Sequence, residues 1–249
     1  MSKVLITTSS FSLGNFTQAK SLHEAGIAIE LNPHGRRLSE DEVAELVAND
    51  VIAILAGLEP LTERVLSNAK SLRVIARCGT GLDSVDLQAA SRLGIDVFNT
   101  PDAPTQAVAE LTIAHMLNSL RHISTTDANM RSGNWTPTMG SLLATKTVGL
   151  IGLGRIGNAV AKLAQAFGSR VIAFDPVVSS HSSVELFSID EILHQSDIVS
   201  LHVPINDQTH HILNAHNISQ MKPGSIVVNV SRGGLIDESA LESALKSQH

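Results

Sequence analysis

The sequence predicts an α/β protein built from two doubly wound parallel-sheet domains, and three observations lead there. Short runs of Val, Ile and Leu alternate with helical patterns along the whole chain, the signature of successive βαβ units. The composition is 43% hydrophobic but only 3% aromatic, with six Phe, one Trp and no Tyr, so the core must be aliphatic, as buried parallel strands require. One apolar strand runs directly into a glycine-spaced turn and then a helix. A chain of 249 residues is long enough for two modest domains.

Taken in order, strands are expected at KVLITT (3 to 8), IAIEL (27 to 31), VIAIL (51 to 55), LRVIA (72 to 76) and DVFN (96 to 99). Amphipathic stretches around 15 to 25, 39 to 48, 61 to 68 and 86 to 93 are the crossovers between them. The prolines of NTPDAP (99 to 104) then break the pattern before a long helix, TQAVAELTIAHMLNSL (105 to 120). The domain boundary is therefore placed so that 1–98 form one domain and 99–249 the other. After a polar stretch containing Trp135, a second series follows: TVGLIGL (147 to 153), RVIAFD (170 to 175), DIVSLHV (197 to 203) and SIVVNV (225 to 230). A helical pattern at 238 to 248 leads into the terminus.

Net charge is −6 with no block of like charges, which excludes the electrostatic footprint of a nucleic-acid binder. Cys78 is the only cysteine, so no intramolecular disulfide forms and a reducing compartment fits. The N-terminus lacks the apolar length of a signal peptide, and no stretch approaches 18 apolar residues, so a cytoplasmic address is expected.

The strongest motif is VGLIGLGRIG, in which Gly152, Gly154 and Gly157 form GxGxxG between strand and helix. The first glycine permits the tight turn, the second lets backbone approach a pyrophosphate, and the third lets helix and strand pack closely. Backbone N–H groups at the helix start, including those of Arg155 and Ile156, then face the phosphates. The next strand ends in Asp175, about 20 residues on, where an acid accepts hydrogen bonds from an adenosine ribose. A carboxylate there would repel a 2′-phosphate, so NAD is the expected cofactor. The plainer alternative is that the glycines serve helix–sheet packing and Asp175 caps a turn before Pro176.

Beyond this fingerprint, the chain resembles the D-2-hydroxyacid dehydrogenases over almost its whole length. The resemblance rests on RCGTGLDSVDL (77 to 87), NTP with AVAEL (99 to 101 and 107 to 111), GLGRIG (152 to 157), HVP (202 to 204), MKPG (221 to 224) and NVSRGGLIDESAL (229 to 241). It implies a flavodoxin-like substrate-binding domain over 1–98 and an NAD-binding Rossmann domain over 99–249, with substrate between them. Arg232 matches the family's catalytic arginine, and a planar, permanently charged guanidinium suits gripping an α-keto acid while hydride arrives. By the same resemblance Arg77, Cys78 and Gly79 belong to the loop that holds substrate, while Thr80, Val203, Val230 and Ser231 lie by the cofactor. Plainer readings are a surface arginine, a tight turn and ordinary strand ends. HHILNAH (210 to 216) lacks the carboxylate or Cys partners of a zinc site, no base can be assigned to Cys78, and His202 reads as structural.

The resemblance also implies a proton-donating histidine tuned by a glutamate, both following the helix that begins at Asp237. They are not among the matched motifs, and His249 comes too early in the family's order to serve. The expectation is a C-terminally truncated family member that turns over no keto acid and leaves SIVVNV as a bare sheet edge. Three explanations stay open: a piece of a longer enzyme, a frameshifted product, or a naturally shortened binding protein. For substrate, 3-phosphoglycerate leads, with glyoxylate or hydroxypyruvate as the alternative. Arg77 matches one phosphate-binding position, but Gly57-Leu58-Glu59-Pro60 places an acid at the other, and Pro104 replaces a common Asn. A non-catalytic NAD-binding interaction protein is the competing function, and a homodimer through 105 to 135 is implied by resemblance.

Overall fold

Parallel strands whose two faces are both apolar can only be satisfied by helices on both sides, and the chain follows that rule twice. The computed structural model describes residues 2–9, 14 and 17–247. They fall into two units, Met1–Pro104 and Thr105–His249.

The first unit contains β1 (Lys3–Ile6), α1 (Ala19–Glu24), β2 (Ala28–Leu31), α2 (Glu40–Val47), β3 (Val51–Ala56), α3 (Glu63–Asn68), β4 (Val74–Arg77), α4 (Leu87–Arg92) and β5 (Asp96–Asn99). Its sheet has the order β2-β1-β3-β4-β5 with every pair parallel, the flavodoxin-like order expected. Leu5, Ile54 and Ile75 from neighbouring strands meet Val43, Val47, Val65 and Leu66 from the helices in one core. Local chemistry starts the helices: Ser39 and Glu42 form a reciprocal capping box on α2, and Thr62 and Asp86 cap α3 and α4. Of the helical stretch expected over 15 to 25, residues 15 and 16 lie outside the described residues, as do Gln248 and His249 at the other end.

The segment 99–104, assigned from sequence to the second domain, belongs with the first. Thr100 N donates to Gly79 O at 3.1 Å, Gly79 N donates to Thr100 Oγ1 at 2.8 Å, and Asn99 Nδ2 donates to Thr80 O at 2.8 Å. These bonds tie the chain after β5 to the loop after β4. The division therefore falls after Pro104, just before α5, rather than at the end of the strand.

The second unit contains α5 (Thr105–Arg121), α6 (Ile123–Arg131), β6 (Thr147–Ile151), α7 (Arg155–Ala166), β7 (Arg170–Phe174), β8 (Glu185–Leu186), α8 (Ile189–Gln195), β9 (Ile198–Leu201), α9 (Ala215–Ser219), β10 (Ile226–Asn229) and α10 (Glu238–Ser247). The all-parallel order is β10-β9-β6-β7-β8. Read from β6, this is 3-2-1-4-5, so SIVVNV is the fifth strand and not the fourth. The third place is taken by β8, whose two residues, one of them charged, are too short to show a period. β10 is nevertheless the edge strand, as expected.

Successive residues of β6 feed opposite cores. Val148 and Leu150 pack with Met116 of α5 and Val160 of α7, while Ile151 packs with Ile192, Leu201 and Leu213 on the other face. Gly149 lets α8 come close, because a Cβ there would lie 2.0 Å from Ser196 Oγ and 2.7 Å from Ile192 Cγ2. Helix α6 was not singled out from sequence; none of its residues is buried, so no apolar stripe marks it. It begins after His122, whose left-handed φ of 54° ends α5.

Gly149→Ala should therefore overpack the centre of the second sheet and lower stability by about 1–3 kcal/mol. Thermal or urea unfolding of the two proteins checks this, and an unchanged midpoint would contradict the close approach of α8.

Candidate functional site

The second sheet places four loops at its carboxyl edge, and each comes from a motif singled out above. Gly152 follows β6 with φ 101°, and a Cβ on it would lie 2.6 Å from His202 O, beyond the end of β9. Gly157 sits in the first turns of α7, where a Cβ would lie 2.2 Å from Gly152 O. Both positions are closed to any side chain by the protein itself. Gly154 differs: a Cβ there would meet nothing within 4 Å. Its lack of a side chain leaves open space in front of the helix start.

That start has no side-chain cap. Gly154 is the N-cap of α7 and offers no side chain to the first-turn N–H groups, which include those of Arg155 and Ile156. The first intrahelical bond runs from Asn158 N to Gly154 O at 2.9 Å. Helix polarity adds partial positive charge at the same place. An anion approaching over Gly154 would find hydrogen-bond donors and no steric obstacle.

Asp175, just past β7, faces this turn. Its Oδ2 accepts from Leu153 N at 2.7 Å, and its Oδ1 accepts from Val177 N at 2.8 Å and Val178 N at 3.2 Å. Burial pushes this carboxyl upward, but the three backbone donors outweigh burial and hold it below the usual range. It is thus a carboxylate at neutral pH. Oδ1 has both lone pairs engaged, whereas Oδ2 keeps one that a ribose hydroxyl could use.

The remaining loops follow β9 and β10. Val203 is buried, and Val230 and Ser231 are half-buried. Ser231 Oγ donates to Leu201 O at 2.7 Å, linking the two strand ends. Half-buried Arg232 is held at its backbone by Asn229 Nδ2, 2.8 Å from Arg232 O, and its own Nη1 donates to Ser231 O at 3.0 Å. Gly152, Gly154, Arg155, Ile156, Gly157, Asp175, Val203, Val230, Ser231 and Arg232 therefore share one edge of one sheet.

The other assigned residues lie in the first unit, at the carboxyl edge of its own sheet. Arg77 ends β4 and is 7% exposed, with Nε buried and without a partner. Its guanidinium lies over Gly79, whose φ is 136° and whose Cβ position is 2.4 Å from Arg77 Nη1. Cys78 and Thr80 are exposed, and Thr80 Oγ1 donates to Pro101 O at 3.3 Å. Glu59, which stands where a basic residue would suit a phosphate, is 1% exposed and turned inward. It accepts from Thr7 Oγ1, and both carboxylate oxygens accept from Gly57 N at 3.0 Å.

Two polar residues of the second unit were not picked out from sequence for this site. Asn158, one residue beyond the third glycine, donates from Nδ2 to Leu153 O at 2.5 Å and Gly154 O at 3.1 Å. An amide on an otherwise small and apolar helix face was the available signal. His181 was not visible at all, since it lies in a serine-rich loop without a motif. The histidines at 210 and 211 stack, with ring centroids 3.9 Å apart, and among the described residues no group of three or more His, Cys, Asp or Glu could hold a metal ion.

Comparison with known proteins gives one family. The family model described as D-isomer specific 2-hydroxyacid dehydrogenase, NAD binding domain, matches residues 113–249. A hydroxypyruvate reductase of Thermotoga maritima is 40% identical over 215 residues, 85% of this chain and 70% of that protein. A D-3-phosphoglycerate dehydrogenase of Methanocaldococcus jannaschii is 42% identical over 217 residues, 84% of this chain but 41% of that protein, so the chain spans less than half of it. Among solved structures, D-lactate dehydrogenase from Aquifex aeolicus, complexed with NAD and lactic acid, superposes with a TM-score of 0.86 at 29% identity, covering 99% of this chain and 74% of that one.

His202 gives the site a pH signature. Burial lowers its pKa from 6.5 to about 4, so the imidazole is neutral in the fold while the unfolded chain protonates near 6.5. The unfolded state then binds the extra proton between these values, and stability falls as pH drops through that window, by on the order of 2–3 kcal/mol. His202→Asn should flatten this part of the stability-against-pH curve. A variant curve as steep as the wild type would assign the acid sensitivity elsewhere.

Proposed function

The chain belongs to the D-isomer-specific 2-hydroxyacid dehydrogenases, with their NAD-binding domain over residues 113–249, and on that premise we propose that it serves NAD-dependent hydride transfer between a small 2-hydroxy acid and its 2-keto acid. The observation that carries the reading is Gly154. Its open face, the uncapped start of α7 and the spare lone pair of Asp175 Oδ2 together fit a dinucleotide.

In this reading the N–H groups of Arg155 and Ile156 hold the pyrophosphate and Asp175 accepts from the adenosine ribose. Gly152 and Gly157 keep the turn closed, Val203, Val230 and Ser231 line the pocket, and Thr80 is assigned to the cofactor on the family resemblance alone. NAD when bound takes up or releases the hydride. On the family resemblance, Arg232 is assigned the substrate carboxylate and the reacting carbonyl, and Arg77, Cys78 and Gly79 of the first unit are assigned to a loop that receives the acid.

For the substrate, Arg77 supports 3-phosphoglycerate. A buried guanidinium without a carboxylate partner among the described residues favours an incoming anion. Glu59 favours the second reading, hydroxypyruvate or glyoxylate, since its position offers a phosphate no cation. We further propose a cytoplasmic homodimer. Among the described residues no helix is long and apolar enough to cross a membrane, and Ile123, Met130, Trp135 (78% exposed) and Met139 (92% exposed) leave an apolar stretch for a second copy.

Asp175→Ala should raise the Kd for NADH about tenfold or more, read by NADH fluorescence beside a thermal melt. Equal affinities in a folded variant would remove Asp175 from the pocket. With NADH bound, phosphohydroxypyruvate should raise the melting temperature of the wild type more than hydroxypyruvate does, and Arg77→Ala should erase the difference. The reverse order would select the unphosphorylated substrate.

A further inference from the structure

The carbonyls of Leu153 and Gly154 belong to the glycine turn itself, and the side chain that restrains them, Asn158, is in turn restrained from outside the helix. Asn158 Oδ1 lies 2.8 Å from His181 Nε2. The other ring nitrogen, Nδ1, accepts from Ser183 N at 3.3 Å. Because a backbone N–H can only donate, Nδ1 carries the lone pair and Nε2 carries the proton. His181 therefore donates to Oδ1, which leaves Nδ2 to donate to Leu153 O and Gly154 O. Both ring nitrogens and both ends of the amide are used.

The loop that presents His181 is fastened at each end. Asp175 receives Val177 N and Val178 N at its start, and Gln165 Nε2 of α7 donates to Ser183 O at 2.6 Å beyond it. Leu153 is held from both sides, its N–H by Asp175 and its carbonyl by Asn158. Rotation of the 153–154 peptide would re-aim the N–H groups that follow, and the network blocks it.

We propose that Asn158 and His181 are positioning residues for the cofactor: they fix the phosphate-binding turn in its open-faced conformation before the dinucleotide arrives. Neither touches the cofactor in this account; preorganising the turn removes an ordering cost from binding. The proposal rests on the assignment of NAD to this site.

The test is NADH affinity in the full chain, with melting temperature measured in parallel. His181→Ala and Asn158→Ala should each raise the Kd about three- to tenfold, the worth of one or two hydrogen bonds. The double variant should bind no worse than Asn158→Ala alone, because both act through the same carbonyls. His181→Gln, which keeps a donor at the Nε2 position, should restore affinity, whereas His181→Asn should not. Wild-type affinity in His181→Ala, or a His181→Gln protein as weak as His181→Ala at equal melting temperature, would overturn the proposal. If Asp175→Ala weakens binding while His181→Ala does not, the cofactor assignment stands and only the positioning role falls. A wild-type chain that binds no NADH would overturn both.

Discussion

The second unit is organised around one close approach, in which the turn after β6 lies against the backbone that leaves β9. Gly152 presses on His202 O, and Gly157 presses on Gly152 O, with no room for a Cβ at either position. Only this packing brings the start of α7 level with the carboxyl end of the sheet. Asp175, Val203, Ser231 and Arg232 reach the same edge because β7, β9 and β10 all run parallel in the same sheet as β6. A side chain at Gly152 would push the turn off the sheet and lift the donors of α7 away from the acid that faces them.

Burial of polar groups follows from that geometry. His202 sits beneath the turn, 2.9 Å from Ser200 Oγ through Nε2, and its Nδ1 is buried without a partner, so it is held neutral. Asp175 makes the opposite bargain with its surroundings: three N–H groups keep it charged despite partial burial. Both pKa values are lowered, but burial leaves His202 neutral whereas the three donors leave Asp175 charged. In the first unit, Arg77 and Glu59 are buried at the ends of neighbouring strands without forming an ion pair with each other. Among the described residues the cation has no carboxylate partner, and the acid is satisfied by Thr7 and Gly57.

Much of this was legible in the residues. The period of apolar runs located the principal strands, because both faces of a parallel sheet are buried and the runs are continuous. The GxGxxG spacing and Asp175 located the tight turn after β6 and the acid that faces it, because each glycine answers a separate steric demand. Three features escaped. β8 is two residues long and has no period, which displaced the count of the strands that follow it. Helix α6 buries nothing within this chain, so its pattern has no apolar face to read. The boundary fell at Pro104 because hydrogen bonds from residues 99–101 back to Gly79 and Thr80 are long-range and leave no local sign.

The sequence by itself determined the alternation of strands and helices, the family, and the glycines and acid of the turn after β6, since these depend on side-chain volume, hydropathy and short spacings along the chain. Only the tertiary structure decided that Gly154 is open where Gly152 and Gly157 are closed. It alone turned Glu59 inward, and it alone joined His181 to Asn158 across 23 positions. Those outcomes depend on which backbone atoms distant segments bring within hydrogen-bonding or van der Waals distance, and no pattern in one stretch of residues encodes them.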